Sequence, residues 1–218
     1  MSPIPVYVEQ GRRRVFACVL DWPGWCRRDQ TEELALDRLA AYVPRYAVAA
    51  RRAGLEPPGP GPAGFRVTER LDSRFGADFG APMEIPQSDA AAAGAVAARR
   101  MASLVSAAWQ VFGQAAAVPA ELRTGPRGGG RDLGKIIEHV AGADFSSARK
   151  LGVRHRSAPG DRAAVEAMRA GVLAILASPS DGAPLAARGW PARHGARRVA
   201  WHALDHAWEI EDRAARPG

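Results

Sequence analysis

The apolar residues change their rhythm along the chain. Up to residue 87 they come in short β-prone runs around one helix; beyond it they recur at helical spacing. Residues 4–9 (Ile-Pro-Val-Tyr-Val-Glu) and 15–20 (Val-Phe-Ala-Cys-Val-Leu) predict two strands, and Gly11-Arg12-Arg13 predicts the turn of a hairpin between them. Residues 21–26 read as a Pro-Gly turn flanked by Trp22 and Trp25. Thr31 precedes Glu32 and Glu33, an N-cap followed by acids that suit the positive end of a helix dipole. Leu34, Leu36, Leu39, Tyr42, Val43, Tyr46 and Val48 carry that helix to about Gly54. Residues 56–64 are rich in Pro and Gly and predict a stiff loop. Residues 65–71 alternate at period two and predict a further strand, and residues 72–87 predict loop with a short strand near 83–85.

Ser88 or Asp89 is placed to cap a long Ala-rich helix running to about Val118, with Met101, Leu104, Val105, Ala108, Trp109 and Phe112 as its apolar stripe. Gly128-Gly129-Gly130 predicts a flexible connector; no Gly-Lys-Ser/Thr follows, so it is not a phosphate loop. Asp132 opens a second helix whose stripe includes Ile136, Val140, Ala141, Phe145 and Leu151. A third spans residues 161–177, and a polar connection over 178–195 leads to a fourth, from 196 to about 214. Four amphipathic helices make an antiparallel bundle the default. The expected fold class is an α+β N-terminal domain over residues 1–86, with a small antiparallel sheet and one helix, followed by an all-α antiparallel four-helix bundle over residues 87–218.

Composition narrows the picture. No window approaches the ~20 apolar residues of a membrane span, and Met1-Ser2-Pro3-Ile4-Pro5 has no basic stretch leading into an apolar core, so no secretion signal is read and a cytoplasmic location is expected. Cys18 and Cys26 are then expected as free thiols. The net charge of +7 suggests an anionic partner. Yet Lys135 and Lys150 are the only lysines among 30 basic residues, the arginines are spread along the chain, and no run of five occurs. That spread disfavours nucleic acid as the main partner.

The candidate chemistry lies in Trp201-His202-Ala203-Leu204-Asp205-His206. Four residues of helix turn through about 400°, so His202 and His206 leave one face about a turn apart and can converge on one cation. His139 lies inside the second of the four helices. Asp205 and Glu209 are close enough to accept a ligand's second ring N–H; the simpler reading makes them solvated acids paired with Arg198 or Arg213. Trp201 and Trp208 are expected as core or pocket wall. His155 and His194 fall in loop-like stretches and are expected on the surface.

Two family resemblances follow. The stretch "VYVE…RRRVFACVLDWPGWCRRDQTEELALDRLAAYV" resembles the small HicB-like antitoxin domain, although Trp25 separates Gly24 from Cys26 where the usual pattern has none. It covers about the first fifty residues and implies a βαβ-type sandwich, without by itself implying toxin binding. The helix carrying "IIEHVAGAD" and the last helix carrying "WHALDHAWEIEDR" resemble the DinB/YfiT-like bundle over roughly residues 88–218. That resemblance implies a divalent-metal site on His139, His202 and His206. Three neutral imidazoles leave one coordination position open, the catalytic arrangement, and suit zinc, nickel or iron alike.

The resemblance further implies metal-assisted hydrolysis, transfer or isomerisation of a small electrophilic molecule. In some relatives a low-molecular-weight thiol such as mycothiol or bacillithiol takes part. No general base is identifiable, and Arg197 and Arg198 are placed to hold an anionic group at the pocket mouth. A homodimer is a further expectation, because bundle relatives often pair. The competing reading is a non-catalytic module whose HicB-like half binds a protein or RNA partner.

Overall fold

The structure is a computed structural model and describes residues 3–57, 59, 64–117, 122–123, 131–156 and 158–214. Strands β1 (Ile4–Gln10) and β2 (Val15–Val19) pair antiparallel as the expected hairpin. The expected small antiparallel sheet with one helix is corrected, because the sheet has four strands, is mixed, and is accompanied by two helices. A short strand β3 (Cys26–Asp29) continues from the Pro-Gly turn and pairs antiparallel with β2. Strand β4 (Phe65–Asp72) pairs parallel with β1, giving the order β3-β2-β1-β4. The chain leaves the sheet at one edge and returns at the other, and only a crossover of this kind lets two strands run parallel.

The crossover holds α1 (Glu32–Ala41) and α2 (Val43–Arg52) where one helix was expected. Thr31 caps α1 as read, its hydroxyl accepting from the Leu34 amide at 3.2 Å. Pro44 explains the break. It has no N–H to continue the ladder, and its ring would clash with the carbonyl one turn back, so it is tolerated only in the first turn of a new helix.

After β4 come one turn of helix, α3 (Gly76–Phe79), and a 3₁₀ turn, Gln87–Ala90; no strand forms at 83–85. The rest of the described chain is helical: α4 (Ala95–Ala116), α5 (Leu133–Lys150), α6 (Arg162–Leu176) and α7 (Ala192–Arg213). Helix α4 packs on α6 and α7, and α5 packs on the same two. Asp132 caps α5 through the Lys135 amide at 2.8 Å. The triple-Gly connector lies outside the described residues. Among those described, no helix is long and apolar enough to cross a membrane.

One hydrophobic core runs from the sheet into these helices. Val6, Val8, Ala17 and Val19 on one sheet face belong to the same cluster as Leu104, Val140, Ala203 and Trp208. The opposite face carries Tyr7, Phe16, Cys18 and Cys26, and Trp201 of α7 packs on it, edge-on to Phe16 at 6.0 Å. Both cysteines are free and buried, as expected for the thiol state. The boundary expected near residue 87 falls at the 3₁₀ turn ahead of α4, and the core spans it.

Helices α4 and α7 do not begin where the sequence placed them. Asp89 is fully buried in the 3₁₀ turn rather than capping α4, and Gly94 takes the N-cap position. Helix α7 starts at Ala192 and runs through Gly195, where a Cβ would collide with the Leu151 side chain. His194 is therefore a buried helical residue, which corrects its expected surface position, whereas His155 is exposed. Arg197 is likewise buried, pairing with Asp89 and donating to Leu20 O at 2.9 Å.

The position of His194 has a consequence for pH. Its Nδ1 lies 3.6 Å from Asp89 Oδ2. Burial pushes the imidazole below the ordinary histidine value; Asp89 opposes this, and Arg197 and Arg198 add to it. The folded protein thus takes up this proton less readily than the unfolded chain. Its contribution to stability is complete above the unfolded value of about 6.5 and drains away as pH falls through the lower folded value. Between about pH 7 and pH 5 the urea midpoint of the native protein should fall further than that of His194→Gln. Parallel slopes would remove His194 from this role.

Candidate metal centre

The candidate ligand set comes from two helices. On α7, a turn separates His202 from His206 while Val199, Ala203 and Ala207 bury the helix against its neighbours. On α5, Ile136 and Val140 turn inward and place His139 on the side facing α7. The three imidazoles meet there. One ring nitrogen from each lies within 4.8 Å of the other two; His206 is buried and the others are half-buried. Ring centroids are 5.0 Å apart for His139–His202 and His139–His206, and 4.7 Å for His202–His206. The set named from the sequence is thus the set the fold brings together.

His202 Nε2 lies 3.2 Å from His139 Nε2. Two bare ring nitrogens at that distance repel unless a proton or a cation lies between them. Tetrahedral zinc with N ligands at 2.0–2.1 Å separates ligand pairs by about 3.3 Å, so this pair is already at the spacing a small cation needs. Burial lowers the His139 pKa, with Arg131 and His206 adding to the effect. Burial holds His202 well below the ordinary value, with the His206 and His139 charges next in size. Both rings are therefore neutral near pH 7, the form that ligates metal.

Glu209 orients the third ring. His206 Nδ1 donates to Glu209 Oε2 at 2.7 Å, so in the neutral ring the lone pair is on Nε2. The other carboxylate oxygen accepts from Arg213 Nη1 at 2.7 Å. The His206 hydrogen bond first, and then Arg213, hold the Glu209 pKa at about 2. Glu209 thus takes the supporting position and pairs with Arg213 at once. Asp205 does neither: it points to the N-terminal part of the chain and accepts from Arg27 at 3.0 Å. His202 Nδ1 is buried without a partner among the described residues, so only His206 has the outer hydrogen bond that metal-bound histidine ordinarily makes.

Trp201 and Trp208 are buried, as expected for core or pocket wall. Arg197 is committed to Asp89 inside the protein, which corrects its placement at a pocket mouth. Arg27 was not singled out from sequence. Its guanidinium lies over the Tyr42 ring at 4.2 Å and reaches Asp205 beside the site. The only signal for it was its neighbour Arg28 in a short polar stretch, which has no local mark of a strand.

The fold and the three-imidazole cluster define an α+β protein with a group able to hold a divalent cation. No family model, no curated protein and no solved structure matches the chain. The HicB-like and DinB/YfiT-like resemblances therefore stand on the quoted residues alone.

Proposed function

We propose that the chain is a metal-dependent enzyme whose divalent cation is held by His139, His202 and His206. The observation that supports this reading is the convergence of three imidazoles, two of them kept neutral by burial and the third oriented by a carboxylate. Zinc, nickel or iron would suit an all-imidazole set. Such a cation, with a position left open, lowers the pKa of a water or thiol placed there and so supplies a nucleophile at neutral pH. The chain's own part is to present three lone pairs, to fix the tautomer of His206 through Glu209, and to hold the site at the edge of a dry core. The reaction this supports is attack on a small electrophilic molecule: hydrolysis, or transfer or isomerisation with a low-molecular-weight thiol. The thiol route enters from the DinB/YfiT-like resemblance.

The experiment is to incubate zinc-loaded protein with activated esters and epoxides, with and without added thiol. The proposal expects turnover that disappears in His139→Ala and on chelation. Turnover equal in native protein and His139→Ala would place the chemistry elsewhere.

Glu209→Ala offers a finer check. Removing an outer-shell carboxylate typically weakens metal affinity by about 10–100-fold, and the same loss is expected here in a competition titration. An unchanged affinity would mean that the 2.7 Å contact plays no part in binding.

A further inference from the structure

Six arginines from three neighbouring elements of the N-terminal part meet in one open groove. Arg12, Arg13 and Arg14 come from the hairpin turn, Arg27 and Arg28 from β3, and Arg38 from α1; the space between them is about 720 Å³. Three are tied down. Arg27 donates to Asp205 at 3.0 Å, Arg28 Nη1 to Gly80 O at 2.8 Å, and Arg38 Nε to Asp29 Oδ2 at 2.6 Å. The other three are exposed, and among the described residues none of their side chains makes an ion pair.

The turn that carries the unpaired three is fixed. The Arg12 and Arg13 amides donate to the two oxygens of Asp78 at 3.0 and 2.9 Å. Gly11 makes that approach feasible, because a Cβ there would come within 2.7 Å of Asp78 Oδ1. Like charges held together without counter-charges destabilise the folded state, and a bound polyanion relieves that cost.

We propose that this groove binds the phosphate backbone of a nucleic-acid duplex. A guanidinium matches phosphate geometry in a two-pronged contact, and a groove of this volume holds several phosphates rather than one. Among the described residues, no aromatic side chain lines it. Single-strand sites combine a basic groove with aromatic stacking platforms, so a groove of six arginines, whose one acid, Asp29, is already paired with Arg38, suits a duplex gripped by its backbone and read without base preference. An acidic protein partner would need apolar anchors at the centre of its footprint, and the lining has none. The sequence disfavoured nucleic acid because its arginines are dispersed; the hairpin, β3 and α1 gather them. The inference is independent of the metal centre.

The experiment measures binding of a fluorescently labelled mixed-sequence DNA duplex against salt concentration, for the native protein and for the combined Arg12→Ala, Arg13→Ala, Arg14→Ala variant. Each phosphate contact contributes about 0.9 to the slope of log affinity against log salt, so the variant should lose about 2–3 from that slope. Its circular-dichroism spectrum should match that of native protein, which reports an intact fold. Absence of salt-dependent binding by native protein, or a slope unchanged in the variant, would overturn the proposal. So would competition by polyglutamate as effective, charge for charge, as that by DNA, because the groove would then be an acidic-protein site.

Discussion

His202→Ala is expected to abolish tight zinc binding while leaving the fold in place. His202 Nε2 lies 3.2 Å from His139 Nε2, and among the described residues its Nδ1 holds no hydrogen bond whose loss would disturb the core. Without it only His139 and His206 remain, and affinity should fall by more than the roughly 100-fold typical of losing a mere outer-shell partner. Thermal unfolding reads the loss directly. Free zinc at about 100 times its dissociation constant stabilises the native protein by about 2.7 kcal/mol. For a chain of this size that is a rise of roughly 5–10 °C in Tm. The variant should show no rise on adding zinc. An equal rise in both proteins would place the binding site elsewhere.

The second large effect is expected far from the metal. Arg197→Met should destabilise the protein by about 3–5 kcal/mol, the usual result of stranding one member of a buried ion pair. Asp89 is wholly buried, and Arg197 donates to it and to Leu20 O, joining the 3₁₀ turn, the end of β2 and α7. Pairing the change with Asp89→Leu should recover much of the loss, because exchanging both charges for apolar groups is often neutral or better. Urea denaturation of the two single variants and the double variant measures this. Additive losses in the double variant would show that the two side chains do not depend on each other.

What the sequence reveals follows from the range of the forces involved. The helices α5, α6 and α7 are legible because apolar residues such as Ile136, Val140, Val172 and Leu204 recur with the helical period. The same geometry puts His202 and His206 on one face. His139 needed the family resemblance, since nothing local says that α5 lies beside α7. The mixed sheet was hidden for a related reason: β4 pairs with a strand some sixty residues earlier, and parallel pairing leaves no turn signature. Cys26-Arg27-Arg28-Asp29 is too short and too polar to announce a strand.

The break between α1 and α2 was written in Pro44, but the apolar period runs on from Leu39 to Val48 and masks it. Asp89, His194 and Arg197 were misplaced together because each is buried only on account of the others. The charge that makes a residue look exposed in a sequence becomes, in such a cluster, the reason it can be inside.

The proposed function rests on three imidazoles from α5 and α7 sharing one divalent ion. Crystals of the protein grown with zinc, with diffraction recorded on both sides of the zinc absorption edge, test it most directly. A single strong anomalous peak is expected about 2.0–2.1 Å from one ring nitrogen each of His139, His202 and His206. A map with no peak between these rings, or with one coordinated by other side chains, would contradict it.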